Sequence, residues 1–145
     1  MLLASIDIEP VVQKLVLESN LENVGVVDEL IARIRNEYDI SEELCNDIWL
    51  ALNEAVSNAI RHGNKFDPAK KVRISLESKY DRFICLSVKD EGSGFDPESV
   101  PDPTSSGRIG EPGGRGVFLI SRIADKVEYS LNGTCLEMCF DLYKN

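Results

Sequence analysis

Two short runs near the middle of the chain alternate between apolar and polar residues, and a few polar residues separate them. In Lys71–Ser78, Val72, Ile74 and Leu76 fall on one side; in Arg82–Asp90, Ile84, Leu86 and Val88 do the same. A period of two is the mark of a strand with one buried face. Tyr80-Asp81 lies at the turn, so the runs pair as an antiparallel hairpin. Such a hairpin cannot stand alone in water; its apolar face needs a second layer.

The rest of the chain supplies that layer and more strands. Gln13–Ser19 reads as a strand. Ser19-Asn20-Leu21-Glu22 offers a capping box, and a helix is expected to about Asn36, with Val24, Val27, Ile31, Ile34 and Tyr38 at helical spacing. Ser41 is expected to cap a second helix, with Glu42 and Glu43 in its first turn, where the helix dipole favours acids. Leu44, Ile48, Leu52, Ala55 and Ala59 mark its apolar stripe, widened by Trp49 and Val56, and Gly63 is a natural C′ residue. Downstream, Val117–Asp125 reads as a helix. Val127–Leu131 and Thr134–Leu142 read as a hairpin joined by Asn132-Gly133. Strands paired as hairpins, with helices coming separately, imply an α+β two-layer sandwich: a mostly antiparallel sheet covered on one face by helices. The length suits a single domain over residues 1–145, with 1–12 an N-terminal extension of no firm pattern.

Composition narrows the partners. The net charge of -9 argues against a nucleic-acid backbone, which attracts basic surfaces. It does not argue against a single nucleotide, held by backbone N–H groups, a metal and one or two cations. No apolar run approaches the roughly 20 residues of a membrane span. The N-terminus has no basic n-region, so no secretory signal is expected. Cys45, Cys85, Cys135 and Cys139 form no Cys-x-x-Cys pair, which disfavours a zinc or thioredoxin-like site. Reduced cysteines and a cytoplasmic address are expected.

Three places carry chemistry. On the second helix Asp47, Glu54, Asn58 and Arg61 share one face, opposite the apolar stripe. That face also reads as the solvated side of an amphipathic helix. Ser57 and Asn58, however, are poor mid-helix residues with no evident structural gain. An amide oxygen at 58 suits Mg²⁺, and a carboxylate one turn away suits proton abstraction. His62 sits at the helix end, where the dipole would favour its charged form; a structural cap is the alternative. The second place is Asp90-Glu-Gly92-Ser-Gly94-Phe95, directly after a strand. It reads either as a strand-ending turn or as an acid placed to accept from an exocyclic amine such as adenine's. The third is Gly113-Gly114-Arg115-Gly116, opening a helix before Val117: an anion site or a flexible connector, and neither a Walker loop nor a dinucleotide fingerprint. Residues 91–116 hold seven glycines and four prolines, which suits a lid or binding loop.

In their order, these segments resemble the boxes of the GHKL (Bergerat-fold) ATPase/kinase superfamily. Glu54-Ala-Val-Ser-Asn58-Ala-Ile-Arg-His62-Gly63-Asn64 looks like its N box, Asp90–Phe95 its adenine box, and Gly113–Ile120 its glycine-rich phosphate box. The short anti-sigma-factor serine/threonine kinases resemble the chain best, over about residues 13–143. The resemblance implies ATP and Mg²⁺ as cofactors. It makes Glu54 the general base and Asn58 the Mg²⁺ ligand. Asp90 would bind adenine in a pocket shaped by Gly92 and Gly94. Gly113, Gly114, Arg115, Gly116 and Val117 would lie at the phosphates, with 97–112 as the ATP lid. Arg115 departs from the pattern, where an apolar residue is usual. The implied activity is a protein serine kinase that phosphorylates a STAS-domain antagonist in a partner switch, with a sigma factor as a further partner and a homodimer as the assembly. The alternatives are a non-catalytic ATP-gated binding module and the detached ATPase domain of a histidine-kinase-like system. Neither nucleic acid nor membrane is an expected partner.

Overall fold

The computed structural model describes residues 13–94 and 114–143, with the backbone alone at 114 and 115. The extension 1–12, the lid 97–112 and Gly113 lie outside the described residues. Strand β1 (Gln13–Glu18) leads through a short 3-10 turn (Leu21–Gly25) into α1 (Val26–Glu37) and α2 (Glu42–Asn58), which runs on into one π-helical turn (Ala59–Gly63). Strands β2 (Lys71–Lys79) and β3 (Phe83–Lys89) follow. After them come α3 (Gly114–Ile123), β4 (Lys126–Ser130) and β5 (Cys135–Asp141). The sheet order is β1-β2-β3-β5-β4 and every neighbouring pair is antiparallel.

The register explains the two layers. Leu15, Ile74, Val88, Leu136 and Tyr129 form one row across all five strands, and Leu76, Leu86, Met138 and Val127 form the next. These rows meet Leu30 and Ile34 of α1, Ile48 and Leu52 of α2, and Ile120 of α3 in one core. The opposite sheet face carries Ser75, Ser87 and the ion pair Lys79–Glu137 at 3.1 Å. The expected α+β sandwich is therefore the observed one. Among the described residues no helix is long and apolar enough to cross a membrane.

Local details depart from expectation for physical reasons. Ser19 does not cap α1. Its hydroxyl is buried and donates to the Lys70 carbonyl, and Asn20 caps the 3-10 turn that precedes α1, its side chain accepting from the Glu22 N–H at 3.0 Å. Ser41 caps α2 as expected, accepting from the Leu44 N–H at 3.1 Å. Trp49 does not widen the buried stripe. It is 42% exposed, because its indole N–H reaches sideways to Asp28 on α1 at 2.7 Å. The β4–β5 turn spans four residues, since Ser130 pairs with Cys135; Leu131, Asn132 and Gly133 all take positive φ. Thr134 is drawn toward β3, where its carbonyl accepts from the Asp90 N–H at 2.9 Å.

The cysteines also differ from expectation. Cys85 and Cys139 face each other across β3 and β5, with Cα atoms 4.1 Å apart, and are joined by a disulfide. Only the strand order brings these residues together, since 54 positions separate them in sequence. Cys45 and Cys135 are free thiols.

Candidate functional site

The last turns of α2 bear the first cluster. Glu54 and Asn58 are half-buried and Arg61 is exposed. The first turn of α3 lies directly on Glu54 and Asn58. A Cβ added at Gly116 would overlap the Asn58 amide nitrogen and stand 3.0 Å from Glu54 Oε2. Only glycine allows this approach. The expected Gly114–Val117 segment does open a helix, and the N–H groups of a first helical turn lack intrahelical partners. Those donors, with the positive end of the helix dipole, therefore sit against a carboxylate and an amide. Such an arrangement accepts an anion and, beside it, a hard cation on oxygen ligands. Glu54 and Asn58 each carry an oxygen of the hard kind that suits Mg²⁺, and the Asn58 atom packed against Gly116 is its amide nitrogen. The Arg115 side chain, like Gly113, lies outside the described residues.

The second cluster surrounds Asp90. Its Oδ1 accepts from the Gly92 N–H at 2.8 Å, and its own N–H donates to the Thr134 carbonyl at 2.9 Å. Burial pushes its carboxyl above the usual aspartate range, while the Gly92 N–H and the nearby Lys70 charge pull it down. Gly63 is packed on this carboxylate, and a Cβ at 63 would overlap it. Gly63 ends the helix, but not as a left-handed C′ residue. Gly94 and Gly133 are the positive-φ glycines among the described residues, so what position 63 requires is space. Gly92 has the Gly63 carbonyl where a side chain would stand. Gly94, at φ +83°, abuts the Asn132 carbonyl in the same way. Asn132 also donates to the Ser93 carbonyl at 3.2 Å, so the β4–β5 turn braces the loop after β3.

The π-helical turn joins the two clusters. It shifts the chain so that the Asn64 N–H reaches the Ala59 carbonyl at 2.8 Å, five residues back. Turns of this type recur at functional sites. Sequence reading assigned Asn64 no role beyond its place in the N box, read Ser19 only as a helix cap, and gave Glu91 no role. Asn64 is 1% exposed, and it donates to Ser19 Oγ at 2.9 Å and the Lys71 carbonyl at 3.0 Å. Its Oδ1 accepts from the Glu91 N–H at 2.8 Å. The Glu91 carboxylate in turn accepts from the Lys71 N–H at 2.7 Å and from Arg73 at 2.9 Å. These partners hold it below the usual glutamate range. The signal available in the sequence was a polar amide directly after Gly63 at the end of the helix. His62 is exposed, and partial burial followed by the Arg61 charge lowers its imidazole below the ordinary range. The expected dipole-stabilised cation is therefore not the favoured form.

The arrangement has relatives. A family model described as a histidine kinase-like ATPase domain matches residues 17–140. The serine-protein kinase RsbW of Oceanobacillus iheyensis is 29% identical over 113 residues, covering 74% of this chain and 71% of that protein. The RsbW of Halalkalibacterium halodurans is 28% identical over 126 residues, covering 83% and 76%. That of Bacillus licheniformis is 26% identical over 123 residues, covering 77% and 72%. The matched span runs from β1 into β5 and includes both clusters, and the chain belongs to the histidine kinase-like ATPase domain family.

Proposed function

We propose that this chain is an ATP-dependent protein serine kinase of the anti-sigma-factor type. Its substrate on this reading is a serine of a STAS-domain antagonist, and a sigma factor is the partner released or held by the switch. The observation that carries the reading is the seating of the α3 first turn, through Gly116, on Glu54 and Asn58. General base, metal ligand and phosphate-binding amides are then adjacent, which is what phosphoryl transfer asks of a protein. The similarity to the RsbW serine-protein kinases supports the same reading.

In this mechanism Asp90 accepts the adenine 6-amino group, and Gly92 and Gly94 leave room for the base. The N–H groups of residues 114–117 hold the phosphate oxygens. Asn58 would hold Mg²⁺ through its amide oxygen. When bound, the ion supplies charge neutralisation between the phosphates. Glu54 takes the proton of the attacking serine hydroxyl while the serine oxygen bonds to the γ-phosphorus. The β–γ bridge bond breaks and ADP leaves. A homodimer and a cytoplasmic address belong to the same proposal. In a reducing cytosol the Cys85–Cys139 disulfide would be opened, so kinase activity is expected from the dithiol form as well.

The test is incubation with Mg²⁺ and γ-labelled ATP, with and without STAS-domain proteins from the same organism, following labelled protein and free phosphate. Label on a partner serine, lost in Glu54→Ala, is the expected result. ATP bound with neither label nor phosphate released would replace the kinase by an ATP-gated binder.

A further inference from the structure

Consecutive residues at the end of the α2 helical segment grip consecutive residues after β3. Gly63 lies against the Asp90 carboxylate, and Asn64 Oδ1 accepts from the Glu91 N–H at 2.8 Å. We propose that Asn64 is a positioning residue for base selection: it holds the backbone at Glu91, and thereby the Asp90 carboxylate, in register with the catalytic helix. The proposal rests on the reading of Asp90 as the adenine ligand.

The geometry is that of a built support. Both donors of the Asn64 amide nitrogen are used, one on Ser19 at the end of β1 and one on the Lys71 carbonyl at the start of β2. The amide plane is thus fixed by two strands before its oxygen meets the third segment. On the other side of Asp90, its own N–H donates to the Thr134 carbonyl at 2.9 Å. Without Asn64 the Glu91 N–H loses its acceptor. The Glu91 carboxylate, still bonded to the Lys71 N–H and Arg73, then draws residue 91 toward β2. Asp90 follows, because it is the neighbouring residue. Hydrogen bonds weaken steeply with misalignment, and a recognition group works only within about 0.5 Å of its place. A displaced Asp90 would therefore lose the amine-specific part of nucleotide binding. The phosphate-binding part, at Asn58 and α3, would stay.

The experiment measures equilibrium binding of Mg·ATP and Mg·ITP, which carries a 6-oxo group in place of the amine. The proteins are wild type, Asn64→Ala and Ser19→Ala, each with a thermal melt and amide hydrogen exchange. Wild type is expected to prefer ATP. In Asn64→Ala, ATP binding is expected to weaken about tenfold, the scale of one lost hydrogen bond, with ITP binding unchanged. The Glu91 amide exchanges faster while β3 and β5 stay protected. Ser19→Ala removes one support of the amide and is expected to shrink the ATP/ITP ratio in the same direction by less. Equal weakening of both nucleotides, or an unchanged ratio, overturns the proposal. If Asn64→Ala does not fold, the Ser19→Ala ratio decides on the same terms. A wild type that binds ATP and ITP alike removes the Asp90 reading itself, and this proposal with it.

Discussion

Gly63 and Asp90 touch with no space for a side chain between them: a Cβ on Gly63 would overlap the Asp90 carboxylate. Gly63→Ala must therefore push the carboxylate away or bend the π-helical turn. Overpacking of this kind typically costs about 1–3 kcal/mol. ATP affinity is expected to fall about tenfold or more, measured by calorimetry. Single-turnover transfer at saturating ATP should fall less, because Glu54 and Asn58 lie on α2 before the turn.

Gly116 plays the corresponding part at the other cluster, where an added Cβ would overlap Asn58 and crowd Glu54. Gly116→Ala is expected to impair both Mg²⁺-dependent ATP binding and turnover, whereas Glu54→Ala should separate them. Loss of a general base typically costs about 10²–10⁴-fold in rate. Glu54→Ala is expected to lose that much phosphoryl transfer with ATP affinity nearly intact. A Glu54→Ala protein that keeps its transfer rate would remove Glu54 from the catalytic role.

Asp90 gives a pH dependence whose sign follows from burial. Its carboxyl is raised, so the fold favours the protonated form. That contribution to stability is present below the unfolded-state pKa and is lost as pH rises through the folded one. The ionised carboxylate is the stronger acceptor for an amine, so ATP affinity is expected to decline with acidification at a pH above the ordinary aspartate range. Asp90→Asn should flatten that profile, weaken ATP binding at neutral pH, and raise the melting temperature of the nucleotide-free protein. An unchanged pH profile in the variant would place the titration elsewhere.

The Cys85–Cys139 disulfide ties β3 to β5 over 54 residues of chain. Closing a loop of that order typically contributes about 2–4 kcal/mol. Reductant is expected to lower the melting temperature of the wild type and to leave that of Cys85→Ser unchanged. The paired thermal melts check both arms.

The two layers were legible in the sequence because each element declares its own period. The alternation of Val72, Ile74 and Leu76, and the spacing of Ile48, Leu52 and Ala55, need no knowledge of the partner element. The Ser41 cap and the Asn132-Gly133 turn are equally local, although the turn is four residues long and its Thr134 carbonyl accepts from the Asp90 N–H. The order of Glu54, Asn58, Asp90 and Gly116 was also readable as a pattern, because the residue types themselves mark the chemistry.

Sequence by itself determined the element types, the inward faces and the candidate chemistry, all of which depend on residues within a few positions of one another. Tertiary structure alone decided the pairings: Gly63 with Asp90, Gly116 with Asn58, Asn64 with Ser19 and Glu91, Cys85 with Cys139. Each depends on which strands are neighbours and on how α2 widens into its π turn. Ser19 shows the difference most plainly. Locally it is a good helix cap, and it gives up that role because burial beside Lys70 and Asn64 leaves its hydroxyl bonded there. A buried polar group takes the partners that the packed fold offers, since leaving them unpaired away from water costs more than a cap returns.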